Sequence, residues 1–243
     1  MTIDVAHPHK KTMLQPSSVI KAEILLPSGV CELDVLCGGF KAGEITYVDG
    51  TSPLVVDLPN QLCVQTYLTF KSPTLYLDGG VCADPYKIAA YARFMDVDQN
   101  DVLDQVHISR AFTVYQLATF VDHLLERELQ TAAPRTLIIG DFPALFLDPD
   151  VPSKESQTIL NNTLLKLHEL TSRFNLVTIL TNHHRRLYSP DIRTLIESSA
   201  HETIRMRFIE PCTYVDLLRQ QRSTTILHLA TGQLRLEHFG MVS

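Results

Sequence analysis

The sequence predicts an α/β fold, a mostly parallel, twisted sheet flanked by helices and ending in a C-terminal β-hairpin. Three observations carry this expectation. Short apolar runs recur at EITYV (44–48), TLYLD (74–78), QVHIS (105–109), TLIIGD (136–141) and LVTILTN (176–182), with helix-length gaps between them. The gaps carry helical periodicity, and alternation of strand and helix implies parallel strands joined by crossovers. The C-terminal stretch changes character: TTILHLA, then Thr231-Gly232, then QLRLEHFGMV reads as two strands around a two-residue turn.

Each element has its own justification. The five runs are β-branched or leucine-rich and apolar on both sides, the mark of a strand covered above and below. A first helix is expected over 57–70, opening at Asp57, a good cap, with Pro59 close behind. A second, PYKIAAYARFM (85–95), places proline in the first turn, where its missing N–H costs nothing. The third, 113–130, sets Leu117, Phe120, Val121, Leu124 and Leu125 on one stripe. The fourth, Ser156 to Phe174, repeats Ile159, Leu160, Leu164, Leu167 and Leu170 at helical spacing. Residues 183–222 are polar, charged and weakly periodic, and read as one long connection. There is no internal repeat and no low-complexity segment.

Composition narrows the function classes. At 243 residues the chain can bury a sizeable core, and 45% hydrophobic with 20% charged residues is ordinary for a globular protein. The net charge of −6 gives no global attraction for nucleic acid and leaves only local basic patches. Five cysteines without a pairing pattern suggest free thiols in a reducing compartment. Cys31 and Cys37 have no second cysteine pair to complete a zinc site, and the pair His183–His184 has no evident third ligand, so no metal and no cofactor is expected. No apolar run approaches a membrane span. Residues 1–25 read as a polar arm without the apolar core of a signal peptide, and 26–243 as a single domain, expected in the cytoplasm.

Open parallel sheets bind ligands at the carboxyl ends of their strands. Those ends are Asp49-Gly50, Asp78-Gly79-Gly80, Arg110, Asp141 and Asn182. The first is followed by a helix-like stretch, the layout of a phosphate-binding loop of pattern G-x-x-x-x-G-K-[ST]. With Gly50 as the first glycine, Val55 falls on the second glycine, Val56 on the lysine and Asp57 on the hydroxyl. The spacing is intact and the chemistry is gone. The lost lysine removes charge-assisted hydrogen bonds worth about 1.5–3 kcal/mol each. Val55 cannot take the backbone conformations open to glycine, and Asp57 sets a negative charge beside the phosphate position. A helix opening only at Asp57 would also start beyond the cradle.

In five segments in order the chain resembles the core domain of RecA-type recombinases, in particular archaeal RadA and its eukaryotic counterparts. They are LPSGVCELDVLCGGFKAGEIT (26–46), LYLDGG (75–80), ISRAFT (108–113), TLIIGDFPALF (136–146) and the stretch from Lys154 to His184. The resemblance covers roughly residues 26 to 241 and implies a RecA-like P-loop NTPase core. It equates Asp141 with the Walker B aspartate and Asn182-His183 with the sensor segment. It places the family's catalytic carboxylate at Gly80, where there is none, and without a base to orient water hydrolysis loses roughly 10²–10⁴-fold.

The same resemblance implies two DNA-binding loops. The first, LDPDVPSKES (147–156), is acidic here, with Lys154 alone basic. The second, after Asn182, carries Arg185, Arg186, Arg193, Arg205 and Arg207 with Tyr188 among them, residues able to grip phosphates and stack a base of single-stranded DNA. Glu197 and Glu202 interrupt this run, so a solvated face is an equal reading. The family polymerises through a phenylalanine-x-x-alanine motif, and no phenylalanine precedes Phe40. Two functions follow as expectations. One is a catalytically inactive paralogue that binds a recombinase, another paralogue or DNA as an accessory of recombination and repair. The other is a nucleotide-dependent signalling or regulatory relative, in which Asp49, Asp57, Asp78 and Asp141 gather a cation.

Overall fold

The computed structural model describes residues 24–183 and 189–227. Its elements run β1 (Leu25–Leu26), α1 (Cys31–Cys37), β2 (Phe40–Lys41), β3 (Glu44–Gly50), α2 (Leu54–Phe70), β4 (Thr74–Asp78), α3 (Pro85–Phe94), α4 (Gln99–Leu103), β5 (Val106–Arg110), α5 (Val114–Thr119), a π-helical turn (Phe120–Leu124), α6 (Leu125–Ala132), β6 (Thr136–Gly140), a 3₁₀ helix (Phe142–Leu147), α7 (Ser153–Phe174), β7 (Val177–His183), α8 (Pro190–Ser199), β8 (Glu202–Ile209), β9 (Cys212–Leu217) and β10 (Arg222–Leu227). The five predicted strands are all present.

Among the described residues one sheet has the strand order β10-β9-β8-β3-β7-β6-β4-β5. From β8 through β5 every pairing is parallel, and β9 pairs antiparallel with both β8 and β10. The period of two sorts side chains into two cores. Tyr47, Leu75, Leu77, Leu137, Ile139 and Leu180 face α5 to α8, and Val48, Tyr76, Ile138 and Ile179 face α1 to α4. Strands with both faces covered must be apolar throughout, and that is what made them readable as runs.

Three expectations require correction. β5 is not covered on both faces: it is the last strand of the sheet, and His107 to Arg110 are exposed. The connection 183–222 contains α8, β8 and β9. Their pattern is broken by Arg205, which pairs with Asp49 far away in sequence, and by Arg207, which pairs with Asp216 on the next strand. A C-terminal antiparallel hairpin is present, made by β9 and β10, while the expected turn at Thr231-Gly232 lies with residues 228–243 outside the described residues. Finally, α2 opens at Leu54 and not at Asp57. Ser52 starts it: its Oγ accepts from the Leu54 N–H (3.2 Å) and its carbonyl from the Val55 N–H (3.0 Å). Asp57 therefore lies within the first turn and Pro59 inside the helix.

The third predicted helix is interrupted in a useful place. The π turn at Phe120–Leu124 inserts an extra residue per turn, so the expected stripe does not stay on one face. Leu117, Val121 and Leu125 are buried, while Leu124 is exposed beside β5.

Candidate functional site

The loop after β3 is the first element of the candidate site. Gly50 (φ 144°) meets β8 so closely that an added Cβ would fall on the Met206 carbonyl, 2.7 Å from its carbon. The N–H groups of Thr51 (2.9 Å) and Ser52 (3.2 Å) both donate to that carbonyl oxygen. Pro53 has no N–H. Leu54 donates to Ser52 Oγ, Val55 to the Ser52 carbonyl, and Val56 (3.0 Å) and Asp57 (3.1 Å) to the Pro53 carbonyl. Every amide from 51 to 57 thus has a partner inside the protein. A phosphate cradle works by leaving such amides convergent and unpaired.

Side chains fasten the loop to the sheet. Ser52 and Thr213 share a buried hydroxyl–hydroxyl hydrogen bond of 2.7 Å, and Thr51 Oγ1 accepts from the Phe208 N–H at 3.1 Å. Val55 is fully buried in the core beneath α2. Sequence reasoning passed over Met206, Thr213 and Phe208, because they belong to strands that it had read as a connection.

The strand-end aspartates have different fates. Asp49 is fully buried and accepts from Arg205 Nε (3.1 Å) and Nη2 (3.5 Å). Arg205 also pairs with Glu197, which accepts from Arg193 Nε at 2.6 Å. Asp78, also fully buried, takes Arg110 Nε (3.2 Å) and Nη2 (3.1 Å) together with the N–H groups of Gly80, Cys82 and Ala83. It therefore shapes the turn that follows β4. Asp57 pairs with Lys87, and this hydrogen bond raises the lysine's pKa. Asp49, Asp57 and Asp78 thus each have a cation of the protein's own. No group of three or more His, Cys, Asp or Glu among the described residues could hold a metal ion. The cation cluster suggested by the four aspartates is not formed.

Beside this closed loop an open cleft of about 460 Å³ lies at the ends of β4, β6 and β7. Val56, Gly79, Gly80, Asp141, Asn182 and His183 are in its lining. Asp141 adopts a left-handed backbone (φ 49°), its N–H donates to Thr181 Oγ1 (3.2 Å), and its carbonyl begins the 3₁₀ helix by accepting from Ala144 (3.0 Å). Its side chain lies over Gly80, where an added Cβ would stand 2.5 Å from Asp141 Oδ2. Asn182 is 6% exposed, and its Nδ2 has no hydrogen-bond partner. Below the cleft the Tyr76 hydroxyl is likewise buried without a partner. Burial first, then Cys63, Cys82, Asp78 and Asp141, hold its pKa well above the usual value.

The nucleic-acid candidates divide. Arg185, Arg186 and Tyr188 lie outside the described residues, as does His184. Arg193 is on α8, and Arg205 and Arg207 are on β8, so they stand on regular elements instead of a loop. Arg193 and Arg205 are tied to Glu197 and Asp49 as described, and Arg207 Nη2 donates to Asp216 at 2.9 Å. Lys154 falls in the first turn of α7.

A further surface lies at the opposite end of the sheet. The exposed β5 borders two apolar hollows of about 380 and 300 Å³, with Leu77, Ser109, Phe120 and Leu124 common to both. Phe120 and Leu124 belong to the π turn, which is what leaves them facing the hollows.

No helix among the described residues is long and apolar enough to cross a membrane. Comparison with curated proteins returns no match. A family model described as Rad51 matches residues 20–197, which takes in β3, the loop after it, the cleft and β5. With the strand order and the five ordered segments, this match places the chain: it belongs to the Rad51 family, of RecA/RadA type.

Proposed function

We propose that the chain serves homologous recombination or DNA repair as an accessory or regulatory member of its family, without turning over ATP. Family membership suggests the process. The observation that carries the finer reading is the internal pairing of every amide from Thr51 to Asp57. A triphosphate would find neither donors nor a lysine there, and Gly80 supplies no base for an attacking water.

The partner in this reading is a recombinase or another paralogue, docked on the sheet edge. In a parallel pair alternate backbone groups of β5 turn away from β4, and Ile108 is 38% exposed there. An added strand would pair with that row and drop alternate side chains into the two hollows, a common mode of peptide recognition. Single-stranded DNA is a second partner, held by Arg185 and Arg186.

The test is a titration with magnesium ATP alongside a phosphate-release assay. The expected result is no binding tighter than about a millimolar and no turnover above buffer. Turnover that disappears in Asp141→Asn would overturn the reading. The open cleft and the unpartnered Asn182 Nδ2 favour a second reading, a nucleotide-responsive regulator with an altered site. Binding tighter than that limit without turnover would decide for it. For DNA, replacing Arg185 and Arg186 together is expected to weaken binding and to flatten its salt dependence by roughly 0.7 in logarithmic slope per lost contact. Unchanged affinity would remove that loop from the proposal.

A further inference from the structure

A second exposed apolar surface lies on the other face of the sheet from the β5 hollows. α2 and α3 pack side by side, and between their outer faces runs a groove of about 300 Å³. Its lining is Gln61 with the buried Val64 and Gln65 on α2, and Ala90, Tyr91, Phe94 and Met95 on α3 and its C-terminal cap. The α3 positions are spaced three and four apart, so this helix presents one continuous stripe above an α2 floor. Phe94 is 81% exposed, and Met95 is 39% exposed. A large side chain left this far in water next to an apolar trough marks a surface that something covers.

The charge around the groove says what kind of partner fits. Immediately past Met95 the chain carries Asp96, Asp98, Asp101 and Asp104, all exposed, on the turn to α4 and on α4 itself. α4 packs against α3, so this acidic run borders the groove at its Met95 end. Arg93, the nearest base in sequence, is held by Gln99. An apolar trough between two helices with an acidic end is complementary to a helix that is apolar on one face and basic at its edge.

We propose that the α2–α3 groove is a docking site for an amphipathic, lysine- or arginine-bearing helix of a partner protein. The helix lays apolar side chains at i, i+3, i+4 and i+7 along Ala90, Tyr91, Phe94 and Met95, and its basic residues face Asp96 and Asp101. The site is independent of the β5 edge and of the nucleotide loop, so it stands or falls without the function proposed above.

The full-length chain, immobilised, is offered a displayed library of 18-residue helical peptides with free choice at every position. The expected winners are amphipathic and net positive. Phe94→Ser is expected to weaken them at least about tenfold, a hot-spot loss, with no change in thermal stability, because Phe94 is mostly exposed. Asp96→Asn combined with Asp101→Asn is expected to reduce the salt dependence of binding while leaving the apolar contribution. Peptides that are acidic or lack helical periodicity would overturn the proposal, as would winners that bind Phe94→Ser as well as the parent or a library that enriches nothing.

Discussion

The loop after β3 and the cleft after β6 lie side by side on one sheet edge, yet they are opposites. In the loop every amide from Thr51 to Asp57 is paired, Val55 is buried, and Asp49 is clamped by Arg205. In the cleft about 460 Å³ stays open and Asn182 Nδ2 stays unpaired. The loop's amides are taken up by the protein itself, while the cleft beside it stays open. Two neighbouring stretches of one edge can thus differ completely in what they offer a ligand. The difference lies in whether backbone donors find nearer acceptors, and for Thr51 and Ser52 the acceptor is the Met206 carbonyl.

The contrast can be broken most severely at Gly50. In Gly50→Ala the new Cβ meets backbone and not a movable side chain, so a loss of at least about 3 kcal/mol is expected by denaturant titration. A loss below about 1 kcal/mol would mean that the loop does not lie against β8. Next comes Arg205→Ala, which leaves Asp49 buried and uncompensated and is expected to cost about 3–5 kcal/mol. Arg205→Met with Asp49→Leu should recover much of that, which separates lost packing from stranded charge. Ser52→Ala removes the Thr213 partner and the acceptor for Leu54, and about 1–2 kcal/mol is expected.

A smaller effect reports on the far end of β3. His201 Nδ1 accepts from the Ile45 N–H at 2.9 Å, so that nitrogen must be unprotonated. Burial first, and then the neighbouring His168, hold its pKa below 6.5. The unfolded chain takes up a proton as pH falls through about 6.5 and the folded chain resists, so stability is full above that value and is lost as pH falls toward the lower, folded one. His201→Asn keeps an acceptor without a proton site, and a shallower slope of stability between about pH 7 and pH 5 is expected. The smallest expected effect is none. Val56→Lys alone should leave phosphate release at the buffer rate, because the lysine arrives without amides to assist it. Turnover in this variant would show that the closed loop opens readily.

What could be read from the sequence was whatever repeats locally. Four strands buried on both faces, β3, β4, β6 and β7, advertise themselves as apolar runs, and α7 as a long stripe, because each pattern is set within a few residues. β8 and β9 were hidden because Arg205 and Arg207 interrupt the run, and their partners Asp49 and Asp216 are settled only by the fold. Which residues stand at the loop positions and after β4, namely Val55, Val56, Asp57 and Gly80, was legible from spacing alone. The destination of the amides was not, since it depends on Met206 lying next to Gly50 across a parallel pair. The start of α2 was misplaced for a related reason. Asp57 looked like the cap, but Ser52 Oγ was closer to the amides in need.

The Asp141 side chain resting on Gly80 has a consequence for the mouth of the cleft. Any side chain at position 80 would meet that carboxylate at once, so the bare backbone there and the direction of the Asp141 side chain are set together. Two residues 61 positions apart thus act as one hinge point of the lining, and a change at either is felt first at the other.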